Sequence, residues 1–196
     1  MIIDELNRYS IILASRSPRR QQLLRELGLR FDVVIKNWEE AYPANLQGEG
    51  IALYVAREKS NTFRSEIKDN EIVITADTIV WCNNRVLDKP VNEADAYSIL
   101  QEISGNTHEV ITGVSILSTK KQVTFSSTTK VTFDALTAEE IEYYVKEYKP
   151  FDKAGAYGIQ EWIGIAACSH IQGSFFNVMG LPVQRLYKEL QKFIQM

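Results

Sequence analysis

Between Ile72 and Trp81 the chain is apolar and β-branched at nearly every position, and Asn83-Asn84 then turns it directly into Val86-Leu87. This pattern reads as a strand entering a hairpin. Further strands are expected at Ile11–Ala14, Phe31–Ile35, Val110–Leu117 and Val123–Phe133, the last two joined by a polar Ser-Thr-Lys-Lys turn. Helical patterns separate them. Ser17-Pro18 opens a helix with Leu23, Leu24 and Leu27 on one face, and Gly28 closes it. A second helix is expected over about Glu49 to Ile67, and Asn92 caps a third that runs to about Ile103. Thr137 and Glu140 form a capping box for a fourth, and Pro182 starts the last, which reaches about Phe193. The stretch from Phe151 to Gly180 is glycine-dotted and reads as mostly irregular. Strands that alternate with helices yet include hairpins predict an α/β fold, with a mixed, partly parallel twisted sheet flanked by helices.

Without a Pro/Gly/Ser linker or an internal repeat, residues 1–196 read as one domain. A net charge of −3 argues against a nonspecific nucleic-acid binder. An anion site must then be a local concentration of positive charge. Cys82 and Cys168 form neither a metal cluster nor a disulfide framework and read as buried free thiols. No stretch approaches the roughly 20 apolar residues that cross a bilayer. The acidic start, with Asp4 and Glu5, is unlike a secretory signal. A cytoplasmic protein without a membrane partner is expected.

Four segments break the local rules. The first turn after Ser17-Pro18 carries Arg19 and Arg20, where a helix N-terminus prefers acidic residues. Two cations suit that position if an anion sits there; otherwise both swing into solvent. Lys59 falls in the apolar stripe of Ala52, Val55, Ala56 and Phe63, either snorkelling at its edge or serving a site. Asp77 interrupts Ile72–Val80, where a carboxylate is costly to bury without a partner or a metal; the alternative is a bulge or cap that turns it to water. In Asp152–Gln160, small residues let backbone approach a ligand and Gln160 has an amide suited to a base edge, although a plain surface loop has the same composition. His108, His170 and the Tyr143-Tyr144-Tyr148 cluster read as structural. Neither GxxxxGK[ST] nor GxGxxG occurs.

Taken together, these segments resemble the Maf family of septum-associated nucleotide pyrophosphatases, related in fold to the inosine triphosphate pyrophosphatases. The likeness covers nearly the whole chain. It runs through Leu13–Arg20, Thr75–Val80, Leu87–Pro90, Ser104-Gly105 with His108–Val110, Thr112–Val114, Asp152–Gln160 and Gly180–Pro182. It implies a central active-site cleft and metal-dependent hydrolysis of a nucleoside triphosphate to the monophosphate and pyrophosphate. By that resemblance Asp77 is the general base or metal-organising carboxylate. Ser15, Arg19 and Lys59 bind the triphosphate, Lys89 lies nearby, and Glu39 helps Asp77 hold Mg²⁺ or Mn²⁺, a hard-cation choice that suits oxygen ligands. A homodimer is also suggested.

Within the family the chain resembles the subgroup acting on dTTP and UTP at Arg19, Thr78 and Gln160, with modified pyrimidine nucleotides as a wider set. Three departures stand out: Asp88 before Lys89-Pro90, Asn106 after Ser104-Gly105, and Glu161-Trp162 after Gln160. The competing readings are a pyrophosphatase for 7-methyl-GTP or other modified nucleotides, and a nucleotide-binding regulator of cell division with little turnover.

Overall fold

A computed structural model describes residues 2–38 and 41–195. The chain groups into two compact units. One comprises Met1–Asp77, Thr112–Ser127 and Gly180–Met196; the other comprises Thr78–Ile111 and Thr128–Met179. In order, the first part of the chain contains α1 (Ile2–Leu6), β1 (Ser10–Leu13), α2 (Pro18–Glu26), β2 (Asp32–Val33) and α3 (Glu49–Asn61). Then follow β3 (Glu71–Cys82), β4 (Arg85–Leu87), α4 (Glu93–Ile103), β5 (Thr107–Leu117), β6 (Gln122–Phe133) and α5 (Ala138–Tyr148). A 3₁₀ turn at Ala154–Ala156 leads to α6 (Trp162–Ala167), β7 (Cys168–Gln172), α7 (Phe175–Val178) and α8 (Val183–Gln195). The strands hydrogen-bond in the order β2-β1-β3-β5-β6-β7, with β4 on β3.

The sheet is mixed, as the alternation of strands and helices predicts. In the first unit β1 runs parallel to both neighbours, with Ile12 opposite Asp32 and opposite Val73. In the second unit β4 returns antiparallel along β3, with Val80 opposite Leu87, and β7 pairs antiparallel with β6. The β3–β4 turn needs left-handed backbone at two successive residues, and asparagines fill both: Asn83 at φ 49° and Asn84 at φ 60°.

The first unit packs Leu6, Ile11, Leu13, Leu23, Leu24, Ile72 and Ile74 out of solvent. Helix α8 buries Val183, Leu186, Leu190 and Phe193, a three-four-three spacing that forms one apolar stripe against which α1 packs. The second unit has its own core, in which α4 and α5 supply Leu100, Ile103, Ile141 and Tyr144 and the strands supply Val110, Val131 and Phe133.

Several elements differ from their sequence patterns. Helix α3 stops at Asn61, after which residues 62–66 continue as turns. The expected strand at Phe31–Ile35 is reduced to two paired residues with exposed side chains, because β2 lies at the sheet edge. Phe151–Gly180 contains two short helices and a strand that its glycines concealed. Cys82 is buried as expected, whereas Cys168 is part-exposed on β7; both are free thiols.

Candidate active site

In the first unit the placement of Lys59 and Asp77 follows from how α3 is seated. Gly113 on β5 lies so close to α3 that a Cβ there would fall 2.1 Å from the Ala52 carbonyl oxygen. The helix therefore rests directly on strand backbone. Further along the same face, the Thr75 hydroxyl donates to the Ala56 carbonyl at 2.6 Å in a fully buried contact. Lys59 is three residues after Ala56, on the same helix face, and Asp77 is two residues after Thr75, on the same strand face. Those two steps in register bring the Lys59 ammonium to 2.9 Å from Asp77 Oδ1. The indole of Trp38 lies beside the ammonium, 5.8 Å from ring centroid to Nζ. Both side chains keep partial solvent access, 20% for Lys59 and 16% for Asp77. Lys59 is therefore paired with Asp77 at the edge of the apolar stripe.

The N-terminus of α2 divides its two arginines between different tasks. Ser17 caps the helix, its hydroxyl accepting from the Arg20 N–H. The Arg20 guanidinium turns inward and donates to two backbone oxygens, Gly180 O through Nε and Ala76 O through Nη1, each at 2.8 Å. It also reaches the hydroxyl of buried Ser15 at 3.4 Å. Ser15 accepts the Ser17 N–H as well, at 3.2 Å. Arg20 thus ties the Ser15 turn to the carbonyl immediately before Asp77. Arg19 stays part-exposed on the first turn of α2. An arginine's position in a sequence does not tell which way its side chain turns, so both arginines looked like anion ligands there.

The other expected site residues belong to the second unit. Thr78 continues β3 and is half-buried. Lys89 is exposed just after β4, and the Asp88 carbonyl beside it accepts the Gly155 N–H at 3.3 Å. Gly155 is required there: its φ is +69°, and a Cβ would meet Val80 Cγ2 at 2.7 Å. Gln160 is exposed in the turn that follows. Glu39 lies outside the described residues.

Beneath Gln160 lies a charge cluster for which the sequence offered only the glycine-rich signal. Lys153, 7% exposed, pairs with Asp152 and Glu161, and the Tyr144 hydroxyl donates to Glu161. Burial, reinforced by that hydrogen bond, pushes ionisation of Tyr144 far above the ordinary phenolic range, so the group acts as a donor. His108 is structural, as expected: it is buried, and its Nε2 lies 2.7 Å from the Tyr157 hydroxyl. Burial lowers its pKa to about 4. Tyr144 and Tyr148 stack, whereas Tyr143 is half-exposed against Trp162.

Among the described residues no group of three or more His, Cys, Asp and Glu could hold a metal ion. A hard divalent cation does not need one. Magnesium is commonly held by one or two carboxylates, with phosphate oxygens and waters completing the shell. Asp77, a part-exposed carboxylate whose Oδ1 is taken by Lys59, has the oxygen-donor chemistry for that mode of binding through its other oxygen.

Residues 10–193 match the Maf-like protein family. The dTTP/UTP pyrophosphatase of Phocaeicola vulgatus is 53% identical over 192 residues, which is 97% of this chain and 100% of that one. The proteins of the same name from Parabacteroides distasonis and Flavobacterium johnsoniae are 49% and 46% identical, each over its full length and over 98% and 99% of this chain. A solved dITP/XTP pyrophosphatase from Mycobacterium abscessus is 17% identical with a TM-score of 0.38, covering 63% of this chain and 72% of that one. The Ham1 protein of Staphylococcus aureus is 12% identical with a TM-score of 0.42, covering 63% and 71%. Likenesses this loose carry no argument about the fold. The match over residues 10–193 and the full-length relatives do carry one: the chain belongs to the Maf-like protein family.

Proposed function

We propose that this protein is a pyrophosphatase that hydrolyses dTTP and UTP to the monophosphate and pyrophosphate. The observation that carries the reading is the Lys59–Asp77 pair, set on a seated helix and a buried strand within a chain 53% identical to a dTTP/UTP pyrophosphatase. A fully buried structural ion pair must offset its desolvation with further hydrogen bonds. This one keeps an edge in solvent, where an incoming phosphate can take over the lysine.

In this reading Ser15, Arg19 and Lys59 bind the triphosphate. As Lys59 turns to a phosphate oxygen it leaves Asp77 free to accept a proton from the attacking water. Water attacks phosphorus, the bond to the bridging oxygen breaks, and pyrophosphate departs with its charge neutralised by Arg19 and Lys59, with Lys89 adding to the positive charge. Arg20 holds the Ser15 turn and the Ala76 carbonyl in place without touching substrate. Arg19, Thr78 and Gln160 select the base. Asp77 would hold Mg²⁺ or Mn²⁺, with Glu39 as the proposed second donor. Such an ion, when bound, neutralises phosphate charge and makes water more acidic. The proposed setting is the cytoplasm, where Cys82 and Cys168 stay reduced.

Pyrophosphate release from dTTP, UTP, CTP, GTP and 7-methyl-GTP with Mg²⁺ or Mn²⁺ tests this. Turnover of dTTP and UTP should lead the panel, and Asp77→Asn should reduce it by about 10²–10⁴-fold, the usual contribution of a positioned general base. Preference for 7-methyl-GTP would move the protein to the other substrate class. Binding of nucleotides without turnover by the wild type would instead make it a regulator.

A further inference from the structure

The turn that carries Gln160 is stapled at both ends to one atom. The Glu161 N–H donates to the Gly158 carbonyl at 3.0 Å, closing a four-residue turn with Ile159 buried and Gln160 exposed at its tip. The Tyr144 hydroxyl oxygen accepts the Gly158 N–H at 3.0 Å and donates its own proton to the Glu161 carboxylate. Tyr144 itself is wholly buried on α5, so the staple is anchored in the core. On its other oxygen Glu161 meets the Lys153 ammonium at 3.2 Å. A Cβ at position 158 would lie 2.8 Å from Glu161 Cδ and would push that carboxylate aside. The next turn is equally tight: a Cβ on Gly164 would fall 1.9 Å from the Ile159 carbonyl oxygen.

This construction adds an anchor in the core to the turn's own backbone bond. Its chemical use follows from the glutamine. A carboxamide offers one donor group and one acceptor. Uracil and thymine present an N–H donor beside a carbonyl acceptor, whereas cytosine presents the reverse. A glutamine on a mobile turn can rotate its amide to meet either pattern. One presented from a fixed backbone starts from a single Cα position, so fewer orientations of its amide reach the base edge and less entropy is lost in adopting the one that fits.

We propose that Tyr144 and Glu161 are positioning residues: they hold the Gly158–Glu161 turn so that Gln160 discriminates uracil and thymine from cytosine. This rests on the pyrophosphatase reading. Lys153 supports the arrangement by pairing with the Glu161 oxygen that Tyr144 does not use.

The test compares kcat/KM for dTTP and for dCTP in the wild type, Tyr144→Phe, Glu161→Leu and Glu161→Gln, together with their melting temperatures. Tyr144→Phe removes only the bridging hydroxyl, and Glu161→Leu removes its acceptor. Each should lower the dTTP/dCTP ratio by roughly five-fold, the scale of one hydrogen bond, mainly through a smaller KM for dCTP. Glu161→Gln keeps an acceptor for Tyr144 and should retain most of the preference. A merely structural network would lower the melting temperature and leave the ratio at the wild-type value, which would overturn the proposal. Should Tyr144→Phe fail to fold, the contrast between Glu161→Leu and Glu161→Gln decides in the same way. A wild type that turns over dCTP as well as dTTP also overturns it, because there is then no discrimination to hold. A wild type that releases no pyrophosphate from dTTP or UTP overturns the pyrophosphatase reading itself.

Discussion

Lys59 and Asp77 meet at 2.9 Å with side chains 20% and 16% exposed, whereas Lys153, its side chain 9% exposed, lies between Asp152 and Glu161 and is joined through Glu161 to Tyr144. Both clusters pair an ammonium with a carboxylate in a largely apolar setting. They differ in what can replace a lost partner. Water and an incoming phosphate can reach the first pair, so its members can exchange partners at little cost. In the second the ammonium is the buried member, and Glu161, 20% exposed, is tied through Tyr144 to a backbone turn, so it cannot change partner without disturbing that turn. The first arrangement suits a group that must act during a reaction, and the second suits a group that must not move.

The sharpest way to break this contrast is to remove the lysine from each. Lys59→Met should lower kcat/KM for dTTP by about 10²–10³-fold, since phosphate charge in the transition state loses a fixed cation. Its effect on stability should stay below about 1 kcal/mol, as is usual for a part-exposed pair. A large loss of stability with kinetics intact would place Lys59 in the scaffold instead. Lys153→Met should do the opposite. With the partner gone, Glu161 keeps only the Tyr144 hydroxyl and the buried lysine site loses its polar partner, and unfolding by urea should show a loss of about 1–3 kcal/mol. An unchanged midpoint would mean that the second cluster is as well solvated as the first.

The odd positions legible in the sequence were those whose polarity conflicted with a periodic pattern. Asp77 stood out against a β-branched run and Lys59 against a helical stripe, and the two come together. What brings them together was not legible. The Gly113 contact and the Thr75–Ala56 bond join residues far apart in the chain, and neither a glycine nor a threonine in a strand announces its partner. Arg20 shows the same limit, because an arginine's position gives no direction for its side chain. Helix α3 ended early, although its stripe reached as far as Phe63, since Phe63 packs with Val73 and Leu117 from a turn. Glu161 was visible as an unusual residue, yet its partners Tyr144 and Lys153 depend on α5 lying under the turn, a tertiary fact.

A third buried pairing sharpens the contrast through pH. His108 is 1% exposed and its pKa falls to about 4 through burial, against an ordinary value near 6.5. Between these values the unfolded chain binds a proton that the folded protein refuses, so stability rises with pH across the window. The contribution of this histidine is complete above about 6.5 and is lost on acidification towards 4, by about 3 kcal/mol over the full interval. Urea unfolding at a series of pH values should show that slope, and His108→Phe should flatten it. A wild-type slope that persists in the variant would assign the acid sensitivity to carboxylates rather than to this core.

Arg20→Lys is the smallest expected effect and probes the boundary between the two kinds of cluster. The guanidinium spans two backbone oxygens, Gly180 O and Ala76 O, and reaches Ser15 as well. A lysine ammonium is a point donor on a flexible stem and cannot hold all three at once. If Arg20 belongs to the scaffold, the substitution should cost about 1 kcal/mol of stability, near the net worth of one lost hydrogen bond. KM for dTTP should then rise only a few-fold, because the Ser15 turn relaxes while Arg19 and Lys59 remain. If the guanidinium instead leaves its carbonyls for a phosphate when substrate binds, stability will barely change while KM rises by more than about ten-fold, the loss of a bidentate contact that lysine cannot reproduce. That result would move Arg20 into the exchangeable group with Lys59. It would also restore both arginines of the first turn of α2 to a single anion site.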